Sequence, residues 1–340
     1  MMIEFLVALS LLLILGLWTV WPRAGLWTVW QRYREDQRRH QAEDALKHVH
    51  TYTWRGGVAT LDSLAGALLL SPRAAVNLAA RLEAQGLLRS TSDGLRLTPE
   101  GEQLALQVIR AHRLWERYLA DEAQMPLASI HAEAERREHE HTAEALSALE
   151  AALGHPATDP HGDPIPTAGG RLARADSQAI TEWPLNTPAR IVHLEDEPAH
   201  LFAQIAAEGL RPGQVVRVIE SNRQRVVLSD GEQVHTLAPI VAGNIFVTPD
   251  TRPARPAAVR QLTTLRAGEQ ATVYALNENL RGFTRRRLLD LGLTPGATIT
   301  AELPSLFGDP VAYCVRGTLV ALRKDQARHI LVNPKGNGHD

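Results

Sequence analysis

Residues His112–His141 read HRLWERYLADEAQMPLASIHAEAERREHEH, and this run decides how the chain is organised. It is dense in imidazole and carboxylate. His112 and Glu116 are four apart, as are His131 and Glu135, and Glu138 and His139 follow at once. Positions three or four apart, and seven or eight apart, share one face of a helix. That spacing predicts that His131, Glu135, Glu138 and His139 converge, with His112 and Glu116 arriving from a second helix. Such a set of nitrogen and oxygen donors suits a borderline-to-hard divalent ion, Mn²⁺ or Fe²⁺. A solvated helix rich in Glu, Arg and His is the bland alternative. Against it, Leu127, Ala132 and Ala134 form only a thin apolar stripe, so the polar side must face something. By itself the run reads as a metal site or a polar seam.

Outward from this run, the bulk numbers set bounds. A length of 340 residues predicts two or three domains. The formal net charge of −2 argues against non-specific coating of nucleic acid. Cys314 is the single cysteine, so there is no intramolecular disulfide framework and any metal is held without a thiolate cluster.

Towards the N-terminus, Ile3–Trp21 is almost wholly apolar, which is long enough to span a bilayer. It lacks the positive start and small-residue cleavage site of a removable signal, so it reads as an uncleaved anchor at residues 3–21. Trp18, Trp21, Trp27 and Trp30 mark its exit, where indole rings favour the interface. Arg23, Arg32, Arg34, Arg38 and Arg39 follow in a basic juxtamembrane segment, residues 22–40, against only Glu4 on the other side. The positive-inside rule then places the bulk of the chain in the cytoplasm, behind a single pass through the inner membrane.

Between the anchor and the histidine-rich run, the pattern is helix, helix, helix, hairpin. Gln41–Tyr52, Asp62–Ala67 and Ser71–Gln85 read as helices, with Ser71 an N-cap and Pro72 in the first turn. Leu87–Ser90 and Leu95–Thr98 flank a Thr-Ser-Asp-Gly tip as two short strands. This order is that of a winged helix-turn-helix over residues 41–110, with Ser71–Gln85 as the helix that enters a major groove. On that helix Arg73 and Asn77 are candidates to read bases, while Ser71, Arg81, Arg89 and Arg96 are candidates for phosphate. An ordinary packed helix is the competing reading. Residues 111–170 then form a helical domain. It includes a long helix from Thr98, a helix over His131–Leu153, and a dimerisation surface of Leu114, Trp115, Tyr118, Leu119, Leu146 and Leu149.

From about Pro188 the pattern turns to β. Short β-branched runs between Gly, Asp and Asn predict two small barrels, at 188–250 and 259–333, joined by a Pro/Arg linker. GLRPGQVVRV from Gly209 matches GLTPGATITA from Gly292, an internal duplication. The expected whole is a multidomain α+β chain: a transmembrane helix, a winged helix-turn-helix, a helical metal-binding and dimerisation domain, and two SH3-like barrels.

The run HRLWERYL…IHAEAERREHEHTAEALSAL…DPHGDPIP resembles the metal-dependent repressors of the diphtheria-toxin-repressor and manganese-regulator type. Glu43–Leu114 follows the same family pattern. Both C-terminal units resemble the FeoA-like, SH3-like barrel, the second in RRRLLDLGLTPGATI and VRGTLVALRKDQARHILV. The resemblance covers roughly residues 41 to 333.

It implies a principal metal site on Asp44, Glu135, Glu138 and His139, joined in the manganese-type arrangement by His112, and a second site on His112, Glu116 and His131. Glu197 and His200 are further candidates from the first barrel. Asp44 and Glu135 stand where iron-type members carry sulfur ligands, and oxygen there favours Mn²⁺ or Fe²⁺. The manganese type places a carboxylate three residues after the aspartate. This chain has Lys47 there, with His48 or His50 as possible compensation. A metal joining Asp44 to the later ligands would clamp the reading head to the dimer core. The expected function is a membrane-anchored, metal-dependent regulator of metal homeostasis that binds operator DNA as a homodimer, with no enzymatic activity. The alternative is a membrane-bound metal sensor acting on a metal transporter by protein contact.

Overall fold

The computed structural model describes residues 26–173, 176–231, 233–250, 258–277, 280, 282–304 and 308–334. The expected anchor at residues 3–21 lies outside them. Among the described residues no single helix is long and apolar enough to cross a membrane. The chain divides into two compact units. The first holds the chain up to His112 together with Arg137–Thr142 and Pro166–Ala173, and the second holds the remainder.

The first unit opens with α1, Leu26–Trp54, a helix of 29 residues. It begins well before the expected Gln41, so the described part of the basic segment is helical. From Leu26 to Trp54 there is no Gly or Pro to break it. Arg39 pairs with Asp36 at 3.6 Å and with Glu43 at 3.8 Å, one turn away on either side. At about 1.5 Å per residue the helix is roughly 43 Å long. Its second half is anchored, for Ala45, Leu46 and Val49 enter a core with Leu64, Leu78, Leu82, Leu88 and Leu95.

Thr60 caps α2, Leu61–Ala67, through a reciprocal capping box with Ser63. Ser71 caps α3, Pro72–Ala84. The axes of α2 and α3 bend by 108°, the geometry of a helix-turn-helix. Strands β1, Leu88–Thr91, and β2, Gly94–Leu97, pair antiparallel as the wing, with Ala59 bridging Leu95 on the outer side. Gly94 sits at φ 144°, and a Cβ there would lie 2.4 Å from the Ala59 carbonyl oxygen. The winged helix-turn-helix is therefore present, with α2, α3 and both strands within a residue or two of their expected bounds and only α1 starting far earlier.

Thr98 joins the wing to α4, Pro99–Asp121. Its hydroxyl donates to the Gly86 carbonyl at 2.7 Å and accepts from the Gly101 amide at 3.1 Å. Gly101 is forced by contact, because a Cβ there would sit 1.9 Å from the Leu87 oxygen.

In the second unit, the single helix expected over His131–Leu153 is two helices. These are α5, Leu127–Arg137, and α6, Ala143–Ala152. The break falls on Glu138–Thr142, where the sequence Glu-His-Glu-His offers no apolar residue to continue a buried stripe. The expected dimer surface also needs correction. Leu114, Leu119 and Leu146 are buried within the chain, and Leu119 packs with Ile130 and Ala134 against Trp115 and Tyr118.

Two six-stranded antiparallel sheets complete the second unit. The first comprises β3 Gln178–Ala179, β4 Pro188–Leu194, β5 Val215–Ser221, β6 Val226–Ser229, β7 Val234–Leu237 and β8 Ile245–Pro249. The second comprises β9 Arg260–Gln261, β10 Gln270–Leu276, β11 Thr298–Pro304, β12 Val311–Val315, β13 Thr318–Leu322 and β14 Ile330–Pro334. The spatial orders are β3-β8-β4-β5-β6-β7 and β9-β14-β10-β11-β12-β13, the same topology twice. Each has a bulge in the matching strand pair, between Ile191 and His193 in one and Val273 and Ala275 in the other. The matched decapeptides thus sit at equivalent places, leading into β5 and β11. Each sheet wraps its own core, with helix α7, Ala199–Ala207, covering the first and α9, Gly282–Asp290, the second. A short helix between them in chain order, α8 at Pro239–Ala242, adds Val241 and Ala242 to the first core before β8.

Candidate metal centre

Within the first unit, α1 and the turn after α5 bring together Asp44, Glu138 and His139. One ligand atom from each lies within 4.8 Å of the others. His139 Nε2 is 3.1 Å from Asp44 Oδ1 and 3.6 Å from Glu138 Oε1. Its Nδ1 is 2.5 Å from Glu43 Oε2. Burial would lower the His139 imidazole, but the carboxylates of Asp44, Glu43 and Glu138 hold it up at about 9.

Glu138 is the buried pivot of this group. Its Oε2 is 2.5 Å from His112 Nδ1 on α4, and Lys47 Nζ donates to both oxygens, at 3.0 and 2.8 Å. Burial would raise the Glu138 carboxyl, yet the hydrogen bond with His112 and the Lys47 ammonium hold it down at about 2. A carboxylate that stays ionised in the interior, beside two further carboxylates and an imidazole, is the donor chemistry of a hard or borderline divalent cation. The residues present fit such an ion.

The second unit gathers a different group. His131 Nδ1 is 3.1 Å from Glu116 Oε1 and 3.2 Å from Asp196 Oδ2, and its Nε2 is 3.5 Å from Glu135. Burial pulls the His131 imidazole down, but Asp196, Glu116 and Glu135 hold it up at about 12. Glu116, His161 and Asp196 form another cluster of possible ligands in this unit. His161 is buried, with its Nε2 3.9 Å from Glu116 Oε1 and its ring edge-on to Phe202.

The loop Asp159–Asp163 explains how His161 is placed. Asp159 Oδ1 accepts from the amides of His161, Gly162 and Asp163, each at 2.9 Å. Gly162 has φ 100°, and a Cβ there would lie 1.9 Å from the Val192 oxygen, so the loop backbone lies directly on β4.

The expected site residues divide between these groups. Asp44, Glu138, His139 and His112 fall in the first unit. Glu116, His131 and Glu135 fall in the second, where Glu135 pairs with His131, its near neighbour on α5. The expected convergence of His131 and Glu135 with Glu138 and His139 on one helix face does not occur, because the last two lie in the turn beyond α5. Glu197 and His200 are exposed, and the residue after β4 that reaches His131 is Asp196. His48 bonds Ser63 and His50 stacks on Trp54, so neither takes the place of the absent carboxylate at Lys47. Sequence reasoning does not single out Glu43, Asp196 or His161. A second carboxylate beside Asp44 is the signal for Glu43, and the place within DPHGDPIP is the signal for His161.

On α3, Ala75, Leu78, Ala79 and Leu82 are buried, while Arg73, Val76, Asn77 and Ala80 lie on the more open face. Ser71 is committed to its cap, accepting from the Ala74 amide at 3.3 Å. Arg81 is half-buried and lies on the last turns of the helix. Arg89 and Arg96 stand opposite one another across the wing, both exposed.

The winged head thus carries a carboxylate–imidazole centre on the second half of its first helix. Residues 98–167 match the family described as iron dependent repressor, metal binding and dimerisation domain, and residues 260–334 match the FeoA domain. The iron-dependent repressor IdeR of Mycobacterium leprae is 33% identical over 162 residues, 44% of this chain and 70% of that protein. The diphtheria toxin repressor of Corynebacterium glutamicum is 34% identical over 170 residues, 46% of this chain and 74% of that protein. A solved manganese-dependent transcriptional repressor in complex with manganese superposes with a TM-score of 0.56 at 26% identity, covering 61% of this chain and 99% of its own. The chain belongs to the iron-dependent repressor family, a family of regulators and not of enzymes.

Proposed function

We propose that this chain is a transcriptional repressor that binds operator DNA as a homodimer when Mn²⁺ or Fe²⁺ is available, and that it controls metal homeostasis. The observation that carries this reading is the meeting of Asp44 with Glu138 and His139. A divalent ion, when bound, would supply positive charge to three neighbouring carboxylates that, in its absence, hold a proton on His139. The protein's own residues do the rest. Asp44 lies on α1 beside Ala45 and Leu46, which with Val49 enter the core of the head. Glu138 and His139 lie in the turn between α5 and α6. Holding the three together fixes the head to that turn, and so fixes where α3 and the wing are presented. Spacing of two such heads must match successive major grooves, about one helical turn apart.

The DNA face is supported by the open side of α3 and by the wing. Two arginines directly opposite on an antiparallel pair repel one another. A phosphate between Arg89 and Arg96 would relieve that cost, while Arg73 and Asn77 remain to read base edges.

The apolar stretch at residues 3–21 anchors the chain in the cytoplasmic membrane in this reading, with the domains in the cytoplasm. Trp27 and Trp30 pack together at the start of α1, with the Arg34 guanidinium 4.3 Å over Trp30. This is the pairing of aromatic and basic residues expected at an interface. A second reading is a sensor that acts on a transporter by protein contact, and α3 favours it in offering few polar groups for bases besides Arg73 and Asn77.

A mobility-shift titration of the chain on promoter fragments, with and without Mn²⁺ or Fe²⁺, separates the two. The repressor reading expects a shift that requires the ion. Absence of any ion-dependent shift, with a transporter co-purifying in its place, favours the second.

A further inference from the structure

The side chain that stands out in the centre is Lys47. It lies one turn after Glu43 and Asp44 on α1, in the midst of the acidic groups. Its ammonium donates to both Glu138 oxygens, at 3.0 and 2.8 Å, and lies 3.2 Å from His112 Nδ1. Glu138 thus looks two ways. On one side Oε1 faces His139, with Asp44 and Glu43 behind it. On the other, Oε2 faces His112, and the Lys47 ammonium spans both oxygens while reaching His112.

A buried carboxylate between two groups of donors is the arrangement that bridges a pair of cations. One of those cation positions, the one bounded by Glu138 and His112, is filled from within the protein.

We propose that Lys47 is a built-in cation of the centre, so that the centre accepts one divalent ion, on the Glu43–Asp44–His139 side, and excludes a second. The charge count agrees. Glu43, Asp44 and Glu138 carry three negative charges, and Lys47 carries one positive. One divalent ion then brings the group to neutrality, whereas a second would leave two uncompensated positive charges in a half-buried site, which is costly. The Lys47 head is positioned by its own stem on a well-packed stretch of α1 between Leu46 and Val49, so its place is set by the fold. The substitution of a cation for an acid at this one position makes Lys47 the residue that determines how many ions the centre holds.

This inference rests on the reading of the centre as a metal site, and the test keeps the two apart. The full chain is loaded with Mn²⁺, and bound manganese is counted by elemental analysis and examined by electron paramagnetic resonance. The wild-type chain is compared with Lys47→Glu, Lys47→Ser and His139→Ala. The expected result is a wild-type spectrum of magnetically isolated Mn²⁺, with one equivalent lost in His139→Ala. Lys47→Glu is expected to take up one further equivalent and to show the exchange-coupled spectrum of a close pair. Wild-type chain that already shows a coupled pair sensitive to His139→Ala overturns the proposal, and that measurement depends on no Lys47 variant folding. Folded Lys47→Glu that gains no manganese overturns it as well, with Lys47→Ser as the check that removing the ammonium left the fold intact. Manganese binding that His139→Ala leaves untouched instead overturns the reading of the centre as a metal site.

Discussion

His139 Nε2 lies 3.1 Å from Asp44 Oδ1, while Nδ1 of the same ring lies 2.5 Å from Glu43. One imidazole in a turn of the helical region is therefore gripped by two adjacent carboxylates of α1, the first helix of the winged head. In the proposed function, the link between ion supply and DNA binding passes through this grip.

Loss of a ligand tests it at the level of affinity. His139→Ala and Glu138→Ala are each expected to weaken Mn²⁺ binding by at least ~100-fold, since even outer partners of a metal ligand are worth ~10–100-fold. Isothermal calorimetry checks this, and an unchanged affinity in both variants contradicts the assignment.

Acidity gives a second handle. His139 is held at about 9, so near neutral pH the metal-free imidazole carries a proton that an incoming cation must displace. Apparent Mn²⁺ affinity should rise from about pH 6 towards about pH 9, with proton release seen as heat that varies with the ionisation enthalpy of the buffer. For the metal-free fold the sign is opposite. Its folded pKa lies above the unfolded value near about 6.5, so this proton stabilises the fold fully below that value. The contribution is lost as pH rises through about 9. Metal binding without proton release would show that His139 is not displaced.

Two glycines give contrasting outcomes in the head. Gly101→Ala forces a Cβ to within 1.9 Å of the Leu87 oxygen, where backbone meets backbone. It should cost more than about 2 kcal/mol in urea unfolding, in the range of severe core changes. Gly66→Ala meets nothing within 4 Å and lies in α2. It should stabilise by up to about 1 kcal/mol through helix propensity.

At the DNA face, Arg73→Ala should cost roughly 1–3 kcal/mol and relax the preference at one base pair, whereas Arg89→Ala should weaken all sequences alike and lower the salt slope by about 1. Fluorescence anisotropy across a salt series distinguishes the two. Equal and sequence-independent losses in both would demote Arg73 to a phosphate contact.

Much of the fold is legible in the sequence itself. The winged helix-turn-helix is marked by local chemistry: Ser71-Pro72 at a helix start, Gly86 at its close, and a four-residue polar tip between apolar pairs. The duplicated sheet is visible because Gly-Leu-X-Pro-Gly repeats in the same relation to a strand. The candidate metal centre is legible in residue type but not in arrangement. Helical periodicity carries Glu138 and His139 onto the face of His131, whereas the chain breaks at Arg137 and turns those two side chains to α1. Periodicity describes a helix only while the helix lasts, and no Gly or Pro marks the break. Lys47 is visible as a departure from the family pattern. That its ammonium sits on Glu138 is a tertiary fact, as is the choice of Asp196 over its exposed neighbour Glu197.

The place of the ion itself is the most direct test. Crystals of the protein grown with Mn²⁺ and measured near the manganese absorption edge should give an anomalous peak about 2.1 Å from oxygens of Asp44 and Glu138 and from a ring nitrogen of His139, a spacing usual for such ligands. A peak there confirms that one ion ties the winged head to the turn after α5. Manganese found only beside Glu116 and His131, with Asp44 and His139 left bonded to each other, would contradict it.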